Sequence, residues 1–163
     1  MKRIITVFAL SIVFLILDNT LMPFINIRGF YPSLLFVFAV CYSIALDEHS
    51  ALKVGILSGA LQDIYFQGVF GINCFVNMII CLLVAQVGKI IFKEKKFIPI
   101  LSIFISSILK GALIYCFAYI FKFHMEPMKI IFTSIYNMGV GIFLYAYVYK
   151  LSTKEYMRKD WKF

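Results

Sequence analysis

Apolar residues run along this chain in long blocks, and polar residues fall into the short gaps between them. The blocks cover about 4–24, 30–46, 51–66, 69–92, 97–121 and 130–149. The clearest gaps are "DEHS" at 47–50, "KEKK" at 93–96 and "KFHMEPMK" at 122–129. A helix that crosses the ~30 Å hydrocarbon core at ~1.5 Å per residue needs about 20 residues. The pattern therefore predicts an all-α polytopic membrane protein: a six-helix transmembrane bundle over 1–149, with no soluble domain. Asp18 and Asn19 are expected near the far end of the first span, and Pro32 in the first turn of the second, where a missing N–H costs little. The third block is the short one, at roughly 24 Å of helix. The third and fourth blocks are read as two full spans, with a re-entrant hairpin as the alternative.

The opening "MKRIITVFALSIVFLIL" has the basic start and apolar core of a signal peptide. "DNTLMPF" follows, with no small-x-small cleavage site, so this block is read as a retained first span.

Composition agrees with the block pattern. The chain is 63% hydrophobic and 15% charged, with a mean hydropathy of +0.93, which suits lipid as the solvent. The net charge of +8 would suggest nucleic acid in a soluble protein. Here the basic residues sit just outside apolar blocks, so a membrane surface accounts for them and no nucleic acid is expected. With the N-terminus placed in the cytoplasm, Lys2, Arg3, Lys53, Lys89, Lys93, Lys95, Lys96, Lys150, Lys154, Arg158, Lys159 and Lys162 fall on the inner side. Only Arg28, Lys122 and Lys129 fall outside. The positive-inside rule then puts both termini in the cytoplasm. Residues 150–163 form a basic tail suited to anionic lipid headgroups. Tyr145, Tyr147, Tyr149 and Trp161 fit an aromatic belt at the same surface.

Reactive chemistry is sparse. Cys41, Cys74, Cys81 and Cys116 all lie within apolar blocks, without a C-x-x-C, and read as buried free thiols. His124 and Glu126 make a lone H-x-E in a loop, too few ligands for a metal. Ser106, Ser107 and Lys110 could form a Ser–Lys dyad, but helix packing is the simpler account. No catalytic residue, metal or cofactor is expected.

The polar stretch at 54–77, "VGILSGALQDIYFQGVFGINCFVN", is the exception to the apolar pattern. Gly55, Gly59 and Asp63 stand at i, i+4 and i+8, one stripe of a helix with Gln62 at its edge. Small residues at this spacing let a second helix approach closely. A carboxylate inside a membrane costs several kcal/mol unless it is paired, hydrogen-bonded or near the interface. Gly68 and Gly71 supply a turn. Asn73 and Asn77 then share a face of the next helix. The expected arrangement is a helical hairpin with an inward polar clasp, in which Asp63 accepts from backbone N–H groups at the start of the following span. Lys110 is the other intramembrane charge. It is expected to pair with Asp63 or Asp18, to face a polar cavity, or to snorkel. Asn137, Gly139 and Gly141 repeat the small-and-polar theme in the last span, where helix contact or a partner interface is expected.

The order of these features resembles the bacterial rod shape-determining MreD family. The resemblance rests on "YPSLLFVFAV" at 31–40, "GILSGALQDI" at 55–64 and "GVFGIN" at 68–73. Span layout matches over essentially the whole chain. Ser33 departs from the Asn or Asp that often follows the proline, and "DEHSALK" lacks a glycine common in that loop. The resemblance implies a non-catalytic subunit of the cell-wall elongation complex in the bacterial cytoplasmic membrane, which binds MreC and organises peptidoglycan synthesis. It also implies MreB, RodA and a class B penicillin-binding protein as wider partners. The family's fold is similar to the substrate-binding subunit of energy-coupling-factor vitamin transporters. That similarity makes such a transporter subunit the rival reading, with Asp18, Asn19, Asp63, Asn73 and Lys110 available to line a pocket.

Overall fold

The structure is a computed structural model, and it describes residues 2–26, 29–65, 70–90, 97–122 and 126–152. Six α-helices follow one another: α1 (Lys2–Thr20), α2 (Leu34–Ala45), α3 (Glu48–Tyr65), α4 (Ile72–Ile90), α5 (Phe97–Ile120) and α6 (Met128–Ser152). A 3-10 turn at Met22–Ile25 follows α1, with proline in its first positions. Four helices contain stretches long and apolar enough to cross a membrane: Arg3–Thr20, Ile72–Lys89, Phe97–Ile120 and Met128–Ser152. The protein is a polytopic helical membrane protein.

The two remaining helices depart from the block pattern. The short helix is α2, not α3. Its 12 residues give about 18 Å of helix, well under the ~30 Å hydrocarbon core. It starts at Leu34 because Ser33 is its N-cap, in an extended conformation with its side chain accepting from Phe36 N–H. Pro32 therefore precedes the cap and does not lie in the first helical turn. Every residue from Leu35 to Ile44 is buried, so α2 is sheathed on all sides. It touches each of the other five α-helices. This explains why its sequence is apolar all round: α2 is the core of the bundle. α3 runs 18 residues but carries Glu48, Lys53 and Asp63, so it falls short in apolarity and not in length.

Close helix contact centres on α3 and α4. A Cβ at Gly59 would lie 2.3 Å from Cys74 Cα, and one at Gly55 would lie 2.9 Å from Met78 Cα. Backbone, not a movable side chain, fills that space. At Gly141 a Cβ would meet only the Ile103 side chain, at 2.7 Å. Gly139 packs on nothing among the described residues: it is exposed, and none of their heavy atoms lies within 4 Å of its Cβ position. The physical reason is helical phase. Asn137 and Gly141 are i, i+4 and face inward, and Gly139 between them points the opposite way. The sequence reading also passed over Gly88, whose Cβ position lies 2.5 Å from Ile44 O on α2.

One end of the bundle is pinned by charge. Arg3 on α1 forms an ion pair with Asp47 at 3.2 Å and donates to Tyr42 Oη at 3.1 Å. Ser50 Oγ donates to Asp47 Oδ1 at 2.6 Å. Lys89 and Glu48 pair at 2.7 Å, largely in solvent. Burial raises the Asp47 pKa, but hydrogen bonds from Ser50 and Arg3 outweigh it and hold the carboxyl below its ordinary value. The opposite ends of α1 to α4 meet at a second rim, which contains the polar stretch and the carboxylates of Asp18 and Asp63. Outward faces of α1, α5 and α6 are apolar, with Phe143 80% exposed and Ile5 65% exposed.

Gly59→Ala is expected to destabilise the protein by about 1–3 kcal/mol, the range for overpacking a filled contact. Gly139→Ala is expected to change stability by under about 1 kcal/mol, with helix propensity in its favour. Thermal unfolding in detergent compares the two. Asp47→Asn is expected to lower stability at neutral pH by less than about 1 kcal/mol, the scale of a half-exposed pair. Because the folded Asp47 pKa is depressed, its contribution is complete above the ordinary carboxylate pKa of ~3.9 and fades as pH falls through the lower native value. Unfolding midpoints of wild type and variant should therefore converge below pH ~4.

Candidate functional site: a polar cavity at the helix ends

The first backbone N–H groups of any helix lack partners within the helix. Where two helices start inside a membrane protein, water is not there to take them. The starts of α2 and α4 are each met by an aspartate from the end of the preceding helix. At α4, Asp63 Oδ1 accepts from Asn73 N–H at 3.0 Å and from Asn73 Nδ2 at 3.1 Å, and Oδ2 accepts from Cys74 N–H at 2.9 Å. At α2, Asp18 Oδ1 accepts from Leu34 N–H at 2.6 Å and Oδ2 from Leu35 N–H at 3.0 Å. Each carboxylate also meets the positive end of the helix it caps.

Gly71 makes the turn into α4 possible. Its φ of +100° lies where a side chain is strained. Its carbonyl accepts the Phe75 N–H at 3.0 Å. Gly68, the other expected turn residue, lies outside the described residues.

Ser33 ties the helices together. Its hydroxyl donates to Asp18 Oδ2 at 3.2 Å and accepts from Gln62 Nε2 at 2.8 Å. Its N–H donates to Asn137 Oδ1 at 2.8 Å, and Asn137 Nδ2 donates to Ser107 Oγ at 3.1 Å. Gln62 Oε1 accepts from Asn77 Nδ2 at 2.9 Å and from Lys110 Nζ at 2.6 Å. Asn77 Nδ2 also reaches Ser58 Oγ at 3.2 Å. Lys110 Nζ stands 4.4 Å from the centre of the Phe36 ring.

The structure thus brings Gln62, Asp63, Asn73, Asn77 and Lys110 into one connected neighbourhood. It does not pair Lys110 with either aspartate; the ammonium goes to Gln62 instead. Neither does it make a Ser–Lys dyad, since Ser107 is bonded to Asn137 and Lys110 to Gln62. Among the described residues, no three His, Cys, Asp or Glu side chains come together as metal ligands. His124 lies outside the described residues. Sequence reasoning passed over the capping role of Asp18 and the junction at Ser33. A Pro-Ser pair immediately before an apolar run is an N-cap signal, and it was available.

A cavity of about 270 Å³ opens among these residues. Its polar wall includes Asp18, Ser33, Gln62, Asn73, Lys110 and Asn137, and Tyr31, Phe36 and Tyr65 supply aromatic surface. Two buried side-chain oxygens near the network have no hydrogen-bond partner among the described residues, Asn77 Oδ1 and Thr133 Oγ1. The arrangement suits holding helices in register around a small polar chamber.

Five helices around a buried core helix, apolar outer faces and a capped polar rim define a polytopic helical membrane protein. The chain matches the family described as rod shape-determining protein MreD over residues 1–155, and it belongs to that family. It is a rod shape-determining membrane protein. No curated protein and no solved structure matches the chain.

Asp63→Asn keeps the shape but removes the charge and one acceptor. It is expected to cost about 1.5–3 kcal/mol, the worth of a charge-assisted hydrogen bond. Asp18→Asn should lose a similar amount for the start of α2. Unfolding in detergent reads the loss, and hydrogen exchange at Asn73, Cys74, Leu34 and Leu35 should quicken only at the helix start whose cap is altered.

Proposed function

We propose that the protein is the non-catalytic membrane subunit of the rod elongation complex that binds MreC and so helps to place peptidoglycan synthesis. The observation that carries this reading is the family match across residues 1–155. The exposed apolar faces of α1, α5 and α6 are the surfaces on which transmembrane helices of partners would pack. In this proposal Gly139, exposed on α6, meets such a partner, and Gly55, Gly59 and Gly141 pack within the bundle. MreB, RodA and a class B penicillin-binding protein are the wider partners of this proposal. We place it in the cytoplasmic membrane as a six-span domain over 1–149, with both termini in the cytoplasm. The basic tail at 150–163 then lies against anionic headgroups. Gln62, Asp63, Asn73, Asn77 and Lys110, with Gly71 at the turn into α4, form the polar clasp that holds the bundle's shape in this proposal.

The cavity favours a second reading, a substrate-binding subunit of an energy-coupling-factor transporter. Affinity purification of the tagged protein from native membranes separates the two. MreC, RodA or the transpeptidase is the expected catch. Recovery of a paired ATPase with a transmembrane coupling subunit, in place of these, would support the transporter instead. Gly139→Leu is expected to lower MreC recovery severalfold with no loss of the protein's own level in the membrane.

A further inference from the structure

Lys110 brings a charge to the cavity that nothing among the described residues neutralises by direct contact. An ammonium carries three N–H donors. The structure accounts for one, to Gln62 Oε1 at 2.6 Å. Lys110 forms no ion pair among the described residues, and both nearby carboxylates are engaged elsewhere. Asp63 is held by Asn73 and Cys74, and Asp18 by Leu34, Leu35 and Ser33. Each of those carboxylates answers a helix N-terminus, so its charge is already spoken for. A lysine inside a membrane domain costs several kcal/mol unless a partner or a polar space receives it.

Two further observations point the same way. Thr133, on the α6 wall of the same cavity, has a buried hydroxyl without a hydrogen-bond partner among the described residues. Lys129, exposed, also borders the cavity, with Nζ 6.0 Å from the centre of the Tyr31 ring. The charged side chains that line the cavity are therefore Lys110, Lys129 and the already bonded Asp18, an excess of positive charge. The volume of about 270 Å³ fits a molecule of headgroup size. It falls just under the ~300 Å³ at which small-molecule pockets begin.

We propose that this cavity binds a small molecule or headgroup bearing a phosphate or carboxylate. Lys110 Nζ holds the oxyanion and the Thr133 hydroxyl supplies a second donor. Lys129 draws the charge in at the mouth, and Tyr31 and Tyr65 enclose the less polar remainder. The site stands on its own geometry and does not depend on the rod-complex assignment.

The test uses the full chain in phosphatidylcholine nanodiscs, with the thermal unfolding midpoint as readout. A ligand that binds the folded state raises that midpoint in a concentration-dependent way. One arm adds phosphatidylglycerol to the bilayer, and the other adds soluble sn-glycerol 3-phosphate. A rise with phosphatidylglycerol alone identifies a lipid headgroup as the source, and a rise with glycerol phosphate identifies a free phosphate. In either case Lys110→Gln should weaken the apparent affinity roughly tenfold or more, the effect of losing a hydrogen bond to a charged group. Lys110 is part of the packed interior, so Thr133→Val provides the second variant. It keeps the side-chain shape, removes an unsatisfied hydroxyl, and should fold normally while binding several-fold more weakly. No rise with either probe would overturn the proposal. So would equal rises in wild type, Lys110→Gln and Thr133→Val, which would show a general effect of bilayer charge.

Discussion

Backbone N–H groups at the start of a helix have no partner within that helix, and hydrocarbon offers none. This bundle begins two helices in its interior, and the rest of the structure depends on how those starts are satisfied. Asp18 and Asp63 each reach across from the end of one helix to cap the next. A carboxylate in such a place is costly alone, and so is an uncapped helix start. Joined, each removes the other's cost. The two hairpins, α1–α2 and α3–α4, are thus closed by the same device, and the polar rim of the bundle is assembled around it.

With its start secured, α2 can be short and wholly enclosed. Leu35 to Ile44 are buried, and the surrounding helices carry the lipid contact. Close approach around this core comes from absent side chains. Gly55 and Gly59 admit α4 to α3, and Gly88 admits α4 to Ile44 of α2. In lipid, where hydrophobic burial does not drive helices together, such backbone contact and interhelical hydrogen bonds are the available glue. Ser33 shows how far the second kind extends, since it joins α1, α3 and α6 to the start of α2.

In this rod shape-determining membrane protein the outer surface and the polar groups are kept apart. Outward faces of α1, α5 and α6 are plain apolar surface. The polar groups are gathered at one rim, where they lock the helices and leave a chamber beside Lys110. The opposite end is held by Arg3 and Asp47, with charges that lie nearer to solvent.

The sequence by itself determined the solvent, the helical class and the family motifs, because hydropathy and local spacing are properties of neighbouring residues. It also directed attention to Asp63 and the residues after Gly71, since ten positions separate Asp63 from Asn73 and a tight hairpin brings them together. Tertiary structure decided the rest. Hydropathy marks α2 as apolar, and only packing showed it to be enclosed by the other helices. Gly139 and Gly141 look alike as letters, and the phase of α6 against α5 distinguished them. Lys110 had several polar partners within reach of a plausible bundle; the register of α5 against α3 and α2 gave it Gln62 and Phe36. Asp18 meets Leu34 across sixteen positions, and Ser33 meets Asn137 across 104. Contacts at such separations depend on how helices lie against one another, and that information is spread over every packed face and held in no single stretch of sequence.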